Sequence, residues 1–216
     1  MRTKFDEQLH ELNNKLIEMG RLCEKAVASA AKALTTGDEE LATDVKTNGP
    51  VIDHMERDIE SRCVNLLLLQ QPVAQDLRFI SSALKMITDL ERIGDQAEDI
   101  AEIVIFLKGS RVKSLDTIRE MADVTIAMVK SSMAAFSDKD AELARAVIEK
   151  DDVVDNYFSE IRRKIVSLIA EDPTDGEAEL DLLMVAKYLE RIGDHATNVA
   201  EWAIYSIDGT HDDTIS

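Results

Sequence analysis

The hexapeptide LERIGD occurs twice in this 216-residue chain, at residues 90–95 and again at residues 189–194. Around it, residues 90–106 match residues 189–205 at ten of 17 positions. Further upstream, residues 19–67 match residues 121–169 at 14 of 49 positions. The change of offset, from 102 to 99 residues, falls in a loop, where changes of length are tolerated. The chain is therefore a duplication of one unit that fills about half of its length.

Helix-forming patterns run through both copies of the unit. Apolar residues recur at spacings of three and four with no sustained alternation, and the chain has only 8 Gly and 3 Pro. The sequence predicts an all-α protein with six long helices, in two tandem three-helix bundles related by a pseudo-two-fold axis. The expected units are residues 1–108 and 111–209, followed by a polar tail at 210–216.

Prolines and glycines predict where these helices begin and end. We expect Pro50 to kink or interrupt the second helix, because proline removes a backbone donor and clashes with the preceding turn. Pro72 is expected at the first position of the third helix, where proline is favoured. A single fifth helix is expected to run to Ala170.

The charge and composition exclude several classes of partner. The chain carries 43 Asp+Glu against 25 Lys+Arg, a formal net charge of −18, which argues against nucleic acid and anionic membranes. No apolar run approaches the roughly 20 residues of a membrane span, and the N-terminus has no secretory signal. Cys23 and Cys63 are expected as apolar core residues of a reducing compartment. We therefore expect a cytosolic protein without direct membrane insertion.

An acidic stripe follows the LERIGD motif in each copy. On a helix, Leu90, Ile93 and Ala97 share one broad face. Acidic residues lie away from this face in both copies, namely Glu91, Asp95, Glu98, Asp99 and Glu102 in the first copy and Glu190, Asp194 and Glu201 in the second, where Asn198 replaces Asp99. A mid-helix glycine costs about 1 kcal/mol relative to alanine, and like charges one turn apart also destabilise a helix. Both copies accept these penalties, which predicts a compensating interaction.

Carboxylates one turn apart can hold a hard cation such as Mg²⁺, Ca²⁺, Mn²⁺ or iron. One helix offers too few ligands, so a second must contribute; the candidates there are Asp53, Glu56 and Glu60 in the first copy and Asp152, Asp155 and Glu160 in the second. The absence of nearby Cys or His disfavours a structural zinc site. The alternative is that these are solvated faces and that the glycines serve a close helix crossing.

Enzymatic patterns are weak in this sequence. Helical di-iron carboxylate enzymes need two Glu-x-x-His motifs, and Glu7 with His10 near the N-terminus provides one. No phosphate-binding Gly-rich loop, GxSxG or HExxH motif occurs. His195 has Gln96 as its counterpart and is expected at the surface rather than as a ligand. We expect no catalytic residue.

The segment QPVAQDLR at residues 71–78, with DLERIGD at 89–95 and YLERIGDH at 188–195, resembles the PhoU family of phosphate-uptake regulators. The resemblance covers essentially the whole chain. It implies two three-helix bundles, a homodimer, and metal clusters held by E/D-x-x-x-D motifs. The implied ligands are Glu91, Asp95, Asp99 and Asp53 in the first half and Glu190, Asp194, Asn198 and Asp155 in the second. Divalent or trivalent ions are implied, with iron, manganese, magnesium, zinc and nickel all open.

The resemblance also implies a function. It implies a cytoplasmic regulator of phosphate transport and phosphate-responsive signalling, acting as a negative regulator through protein–protein contacts. The implied partners are the ATPase subunit of a phosphate ABC importer and a membrane sensor histidine kinase. Direct binding of free phosphate is disfavoured by the net charge of −18. Two alternatives stay open: a helical scaffold that binds neither metal nor phosphate, and a metal-dependent phosphohydrolase.

Overall fold

The structure, a computed structural model, describes residues 2–70, 72–107 and 115–209. These residues form seven α-helices and one 3-10 turn (Pro173–Asp175), with no β-strand among them. The helices are α1 (Arg2–Thr36), α2 (Glu39–Gln70), α3 (Ala74–Phe106), α4 (Leu115–Asp138), α5 (Ala141–Ile148), α6 (Asp151–Glu171) and α7 (Gly176–Asp208). The all-α prediction is confirmed. The expected boundary at 108–111 and the tail at 210–216 lie outside the described residues.

The helices form two bundles that meet along α3 and α7. Helix α3 packs against α1 and α2, whereas α7 packs against α4, α5 and α6. Between the bundles, Asp89 of α3 accepts a hydrogen bond from Asn198 of α7. The charge of Asp99 of α3 lies close enough to Tyr188 of α7 to raise its pKa. Positions 89 and 188 are equivalent in the two repeats, as are positions 99 and 198. The operation that relates the repeats therefore converts one of these contacts into the other. The two helices are therefore antiparallel and related by a pseudo-two-fold axis.

Two local predictions about the helix ends need correction, and the prediction at Pro50 is narrowed. Helix α3 begins at Ala74 with Val73 as its N-cap, so Pro72 lies before the helix rather than at its first position. Helix α2 is continuous through Pro50, so of the kink or interruption expected there, the interruption is absent. The expected fifth helix is split into α5 and α6 at residues 149–150. Asp151 and Asp152 form the acidic first turn of α6, which the helix dipole favours at a new N-terminus.

Both cysteines are core residues of the first bundle. Cys23 and Cys63 are fully buried and free, which confirms the prediction that they pack as apolar residues. The Cys23 thiol donates to the Leu90 carbonyl oxygen across a distance of 3.1 Å, and this contact joins α1 to α3. Burial raises the pKa of the Cys63 thiol to about 12. Burial raises the pKa of the Cys23 thiol as well, so both thiols are protonated in the folded protein.

Candidate metal centre

Helix α3 presents its acidic residues on the side away from the core. Leu90, Ile93 and Ala97 are fully buried in the first bundle, whereas Glu91 and Asp95 are half-buried at its surface. This separation is the one that the 3.6-residue period predicts. The two carboxylates therefore lie one turn apart at the edge where α2 crosses α3.

Gly94 determines how closely α2 approaches. A Cβ at this position would lie 3.0 Å from Ile52 Cδ1 and 3.2 Å from Ile52 Cγ2, so the Ile52 side chain occupies the space that glycine leaves. Asp53 follows Ile52 on α2, and Asp95 follows Gly94 on α3. Close packing at one pair of residues thus brings the next pair together.

The result is a compact group of three half-buried carboxylates. One oxygen each from Asp53, Glu91 and Asp95 lie within 4.8 Å of one another. Burial and the neighbouring Asp95 raise the pKa of Glu91, and burial and Asp53 raise the pKa of Asp95. Arg92 opposes this repulsion, because its guanidinium lies 3.5 Å from Glu91 Oε2 and 3.4 Å from Asp95 Oδ2.

The donor set of this group fits a hard cation. All three side chains offer carboxylate oxygens, the ligands that Mg²⁺, Mn²⁺ and Ca²⁺ prefer. Three carboxylates against one guanidinium leave an excess of two negative charges, which a divalent cation would neutralise. Close by, the Glu98 carboxylate rests against the α2 backbone, in the place that a Cβ at Gly49 would occupy.

The second half repeats the arrangement with a difference. Gly193 again permits a close approach, since a Cβ there would lie 3.3 Å from Val154 Cγ1. Burial and the Glu190 charge raise the pKa of Asp155 and of Asp194, so the three carboxylates are near one another.

A lysine accompanies the carboxylates of the second half. Lys187 Nζ contacts Glu190 Oε2, and the position equivalent to Lys187 in the first half is Thr88. In the described part of the chain, the second half has no group of three carboxylates as tight as that of the first. The second half therefore has the lysine ammonium group of Lys187 beside its carboxylates, at a position where the first half has a threonine.

Asp99 and Asn198 lie at the contact between the two bundles. The Asn198 amide donates to Asp89 Oδ1 at 2.9 Å, and His195 Nδ1 lies 2.9 Å from the same oxygen. His195 is therefore half-buried and paired, rather than the surface residue expected from sequence. Asp99 has a raised pKa from burial and from the Asp95 and Glu102 charges, which Arg191 opposes.

Two carboxylates near these groups were not among the ligands implied by the sequence. Glu98 rests against Gly49, and burial with the Asp95 and Asp53 charges raises its pKa. Asp151 has a pKa raised to about 6, chiefly by burial and then by Asp194 and Asp155. In the alignment of the repeats at an offset of 102 residues, Asp151 aligns with Gly49 rather than with an acidic residue. The repeat therefore gave no signal for Asp151.

Comparison with known proteins agrees with this fold and these motifs. The family model described as the PhoU domain matches the chain twice, at residues 16–104 and 118–203. The chain belongs to the PhoU family. A relative from Aquifex aeolicus, named a phosphate-specific transport system accessory protein PhoU homolog, is 40% identical over 95% of this chain and 94% of its own length.

Solved structures of PhoU proteins have the same fold. The crystal structure of PhoU from Pseudomonas aeruginosa is 38% identical and superposes with a TM-score of 0.93, covering 95% of this chain and 100% of the other. The phosphate transport system regulatory protein PhoU from Streptococcus pneumoniae is 29% identical with a TM-score of 0.91, covering 97% and 99%. None of the helices described here is long and apolar enough to cross a membrane.

Proposed function

We propose that this chain is a cytoplasmic accessory protein that regulates a phosphate-specific transport system. The relatives that match most of its length are named as accessory or regulatory proteins of such systems, which favours regulation over catalysis. Its partners would be the ATPase subunit of the phosphate importer and a membrane sensor histidine kinase. It would act on them as a negative regulator through protein–protein contacts.

Metal binding would shape the surface that these partners meet. The observation that carries this proposal is the half-buried group of Asp53, Glu91 and Asp95, whose oxygens lie within 4.8 Å of one another. A second ion would bind at the equivalent Asp155, Glu190 and Asp194. Asp99 and Asn198 would be outer ligands of their sites, and Asn198 would use its carbonyl oxygen because its amide nitrogen donates to Asp89.

The proposed working units are residues 1–108 and 111–209, with 210–216 as a polar tail, and each of the two longer ranges contains one match to the PhoU domain.

We also propose a homodimer. Large apolar side chains on the described surface, including Leu68 at 73% and Phe106 at 72% exposure, support it, because a second copy would remove them from water.

Elemental analysis tests the metal-binding proposal. Protein purified without chelator and dialysed against Mn²⁺ should retain close to two ions per chain, and the triple variant Asp53→Asn, Glu91→Gln, Asp95→Asn should lose one of them. Glu40→Gln, an exposed residue on the same helix as Asp53, is the matched control. Retention of less than one ion per two wild-type chains would instead favour a helical scaffold.

A pull-down tests the regulatory proposal. The tagged chain should capture the importer ATPase subunit and the sensor kinase from extracts of its own cells, with an amount that changes between high and low phosphate. The triple variant should capture less if the metal shapes the docking surface. Equal recovery of both partners by an unrelated acidic helical protein would contradict the proposal, whereas metal-dependent turnover of a phosphoester would favour a phosphohydrolase.

A further inference from the structure

A cavity of about 260 Å³ lies among helices α1, α2 and α3 of the first bundle. Its walls are largely apolar, and the side chains that form them are Leu22, Ala26, Leu41, Val45, Val51 and Ile52. Three charged side chains, Lys25, Asp44 and Glu98, also line it. Small-molecule sites typically combine apolar walls with a few polar groups, in volumes that begin near about 300 Å³. This cavity therefore has the composition of a site for a ligand at the small end of that range.

The alignment of the repeats explains why the first bundle has this space. At the offset of 102 residues, Ala26 of α1 aligns with Met128 of α4. Met128 is fully buried in the second bundle, and its side chain is much longer than that of alanine. The second repeat thus fills with a methionine the space that the first repeat leaves open. Glu98 is also specific to the first repeat, since its counterpart at the offset of 99 residues is Thr197.

The Glu98 carboxylate is the polar group of this cavity that has no ionic partner among the described residues. It forms part of the wall and rests against the α2 backbone at Gly49. Lys46, a cation on the same helix as Gly49, pairs with Glu102 at 3.4 Å rather than with Glu98. A carboxylate in this position is free to accept a charge-assisted hydrogen bond from a ligand.

The charges around the cavity favour a cationic ligand over an anionic one. Two carboxylates, those of Asp44 and Glu98, face one ammonium group, that of Lys25, which leaves an excess of one negative charge. A bare metal ion would leave the apolar walls without contact, whereas an organic amine would cover them. The ligand class that fits both the walls and the charge is therefore a small amine with a branched apolar body.

We propose that this cavity is a binding site for a small organic amine. The apolar body of the amine packs against Leu22, Val45 and Ile52, and its ammonium group donates to Glu98. This site is separate from the carboxylates of the candidate metal centre, and the proposal does not depend on metal binding. Because helices α1 and α2 both line the cavity, a bound amine stabilises the folded first bundle in proportion to its concentration over its Kd.

Three probes that share one apolar body test this site. 3-Methylbutylamine, 3-methylbutanol and 3-methylbutanoate differ in the group that would meet Glu98. Binding is followed by NMR titration of the full chain in chelator, with the Asp53→Asn, Glu91→Gln, Asp95→Asn variant as a second sample without the acidic group. We expect the amine to bind both samples with a Kd of the order of millimolar, about tenfold more tightly than the alcohol. The carboxylate should bind neither.

Variants of the cavity assign the binding to its walls and to its charge. Ala26→Met should abolish binding of the amine and of the alcohol because it introduces the residue of the second repeat. Ala26→Ser, which leaves most of the space open, is the matched control and should keep the Kd within about threefold. Glu98→Gln should remove the preference for the amine while the alcohol binds as before.

The result that overturns the proposal is a wild-type protein that binds none of the three probes, or that binds the carboxylate as tightly as the amine. Amine binding that survives Ala26→Met in a folded protein also contradicts it, because the amine is then bound elsewhere. Should Ala26→Met unfold, the Glu98→Gln variant decides alone: an unchanged preference for the amine would contradict the role of this carboxylate.

Discussion

At the scale of single residues, two glycines determine where the carboxylates of this protein meet. Gly94 and Gly193 lie in the middle of long helices, where glycine is disfavoured. The packing explains both, because Ile52 and Val154 occupy the space above them. The mid-helix glycine thus accounts for both the close helix crossing and the nearby group of carboxylates. A glycine-mediated crossing is therefore compatible with metal binding rather than an alternative to it.

Alanine substitution should distinguish the two glycines. Gly94→Ala would place a Cβ 3.0 Å from the buried Ile52, and overpacking at such a site costs typically 1–3 kcal/mol. After the gain in helix propensity of about 1 kcal/mol is subtracted, we expect a net loss of up to about 2 kcal/mol in the free energy of unfolding, measured by urea titration. Gly193→Ala is the matched control, because its closest contact of 3.3 Å is milder and the gain in helix propensity, about 1 kcal/mol, offsets it. Equal effects would contradict this explanation.

Asp58 should contribute a small stabilisation that depends on pH. The Lys15 ammonium at 2.7 Å and the Arg62 guanidinium at 3.1 Å lower the pKa of this carboxyl group. Because the folded pKa lies below the unfolded value of about 3.9, the contribution is complete above pH 4 and is lost as the pH falls through the folded pKa.

Asp58→Asn should therefore lower the urea midpoint at pH 7 by an amount equivalent to at most about 1 kcal/mol at low salt, since the pair is partly exposed. The difference from wild type should stay constant between pH 7 and pH 5 and shrink below about pH 4. A difference that grows as the pH falls would contradict this sign.

At the scale of elements, the repeats begin their second segment with the same cap. Asp38 accepts from the Leu41 backbone N–H at 3.0 Å, and Asp140 accepts from the backbone N–H groups of Glu142 and Leu143 at 3.0 and 2.9 Å. These bonds satisfy donors that have no partner within a helix. The cap matters more for α5, which has only 8 residues, than for the 32-residue α2.

Removal of the second cap should destabilise the protein measurably. Asp140→Ala should lower the free energy of unfolding by about 1 kcal/mol, within the 0.5–2 kcal/mol range of such caps. Asp140→Asn keeps an acceptor and should retain most of the stability. The measurement is urea unfolding followed by circular dichroism, and equal losses in the two variants would show that the charge rather than the cap is responsible.

The sequence predicted the helices and the faces of α3 because both depend on a local period. It also named Asp53 and Asp155, which are identical at the offset of 102 residues and match positions that the PhoU resemblance implies. The contact of Lys187 with the Phe158 ring of α6 and the effect of Asp194 on the pKa of Asp151 join different helices. No periodic pattern within one helix records such contacts. The pairing of His195 was missed for the same reason: its partner Asp89 is 106 positions away.

At the scale of the whole molecule, α3 and α7 join the two bundles. One polar link between them is Asp89, whose side chain is 14% exposed and accepts from Asn198 and pairs with His195 of the other bundle. The pseudo-equivalent position, Tyr188, cannot act as a carboxylate acceptor. Asp89 with His195 and Asn198 therefore lies on one side of the pseudo-two-fold axis, and Asp99 with Tyr188 and Arg191 lies on the other.

Asp89→Ala should weaken the attachment of the two bundles. It leaves two polar groups without their acceptor, which costs about 1–3 kcal/mol where such groups are buried. We expect a loss of that order in the free energy of unfolding and a broader urea transition as the bundles begin to unfold separately. Asp123→Ala, an exposed position on α4, is the control and should change stability by less than about 0.5 kcal/mol. A sharp transition at the wild-type midpoint would contradict this role.

The rare side chains of this protein provide two natural reporters of its opening. Both thiols, Cys23 and Cys63, are buried in the first bundle, and Trp202, the single indole of the chain, lies on α7 in the second. A buried thiol reacts with a labelling reagent only when its surroundings open. The Lys85 ammonium of α3 lies 5.9 Å from the Trp202 ring. The rate of thiol labelling would therefore follow opening of the first bundle, while Trp202 fluorescence would follow the contact of α7 with α3, in the unmodified protein and in the presence of a partner.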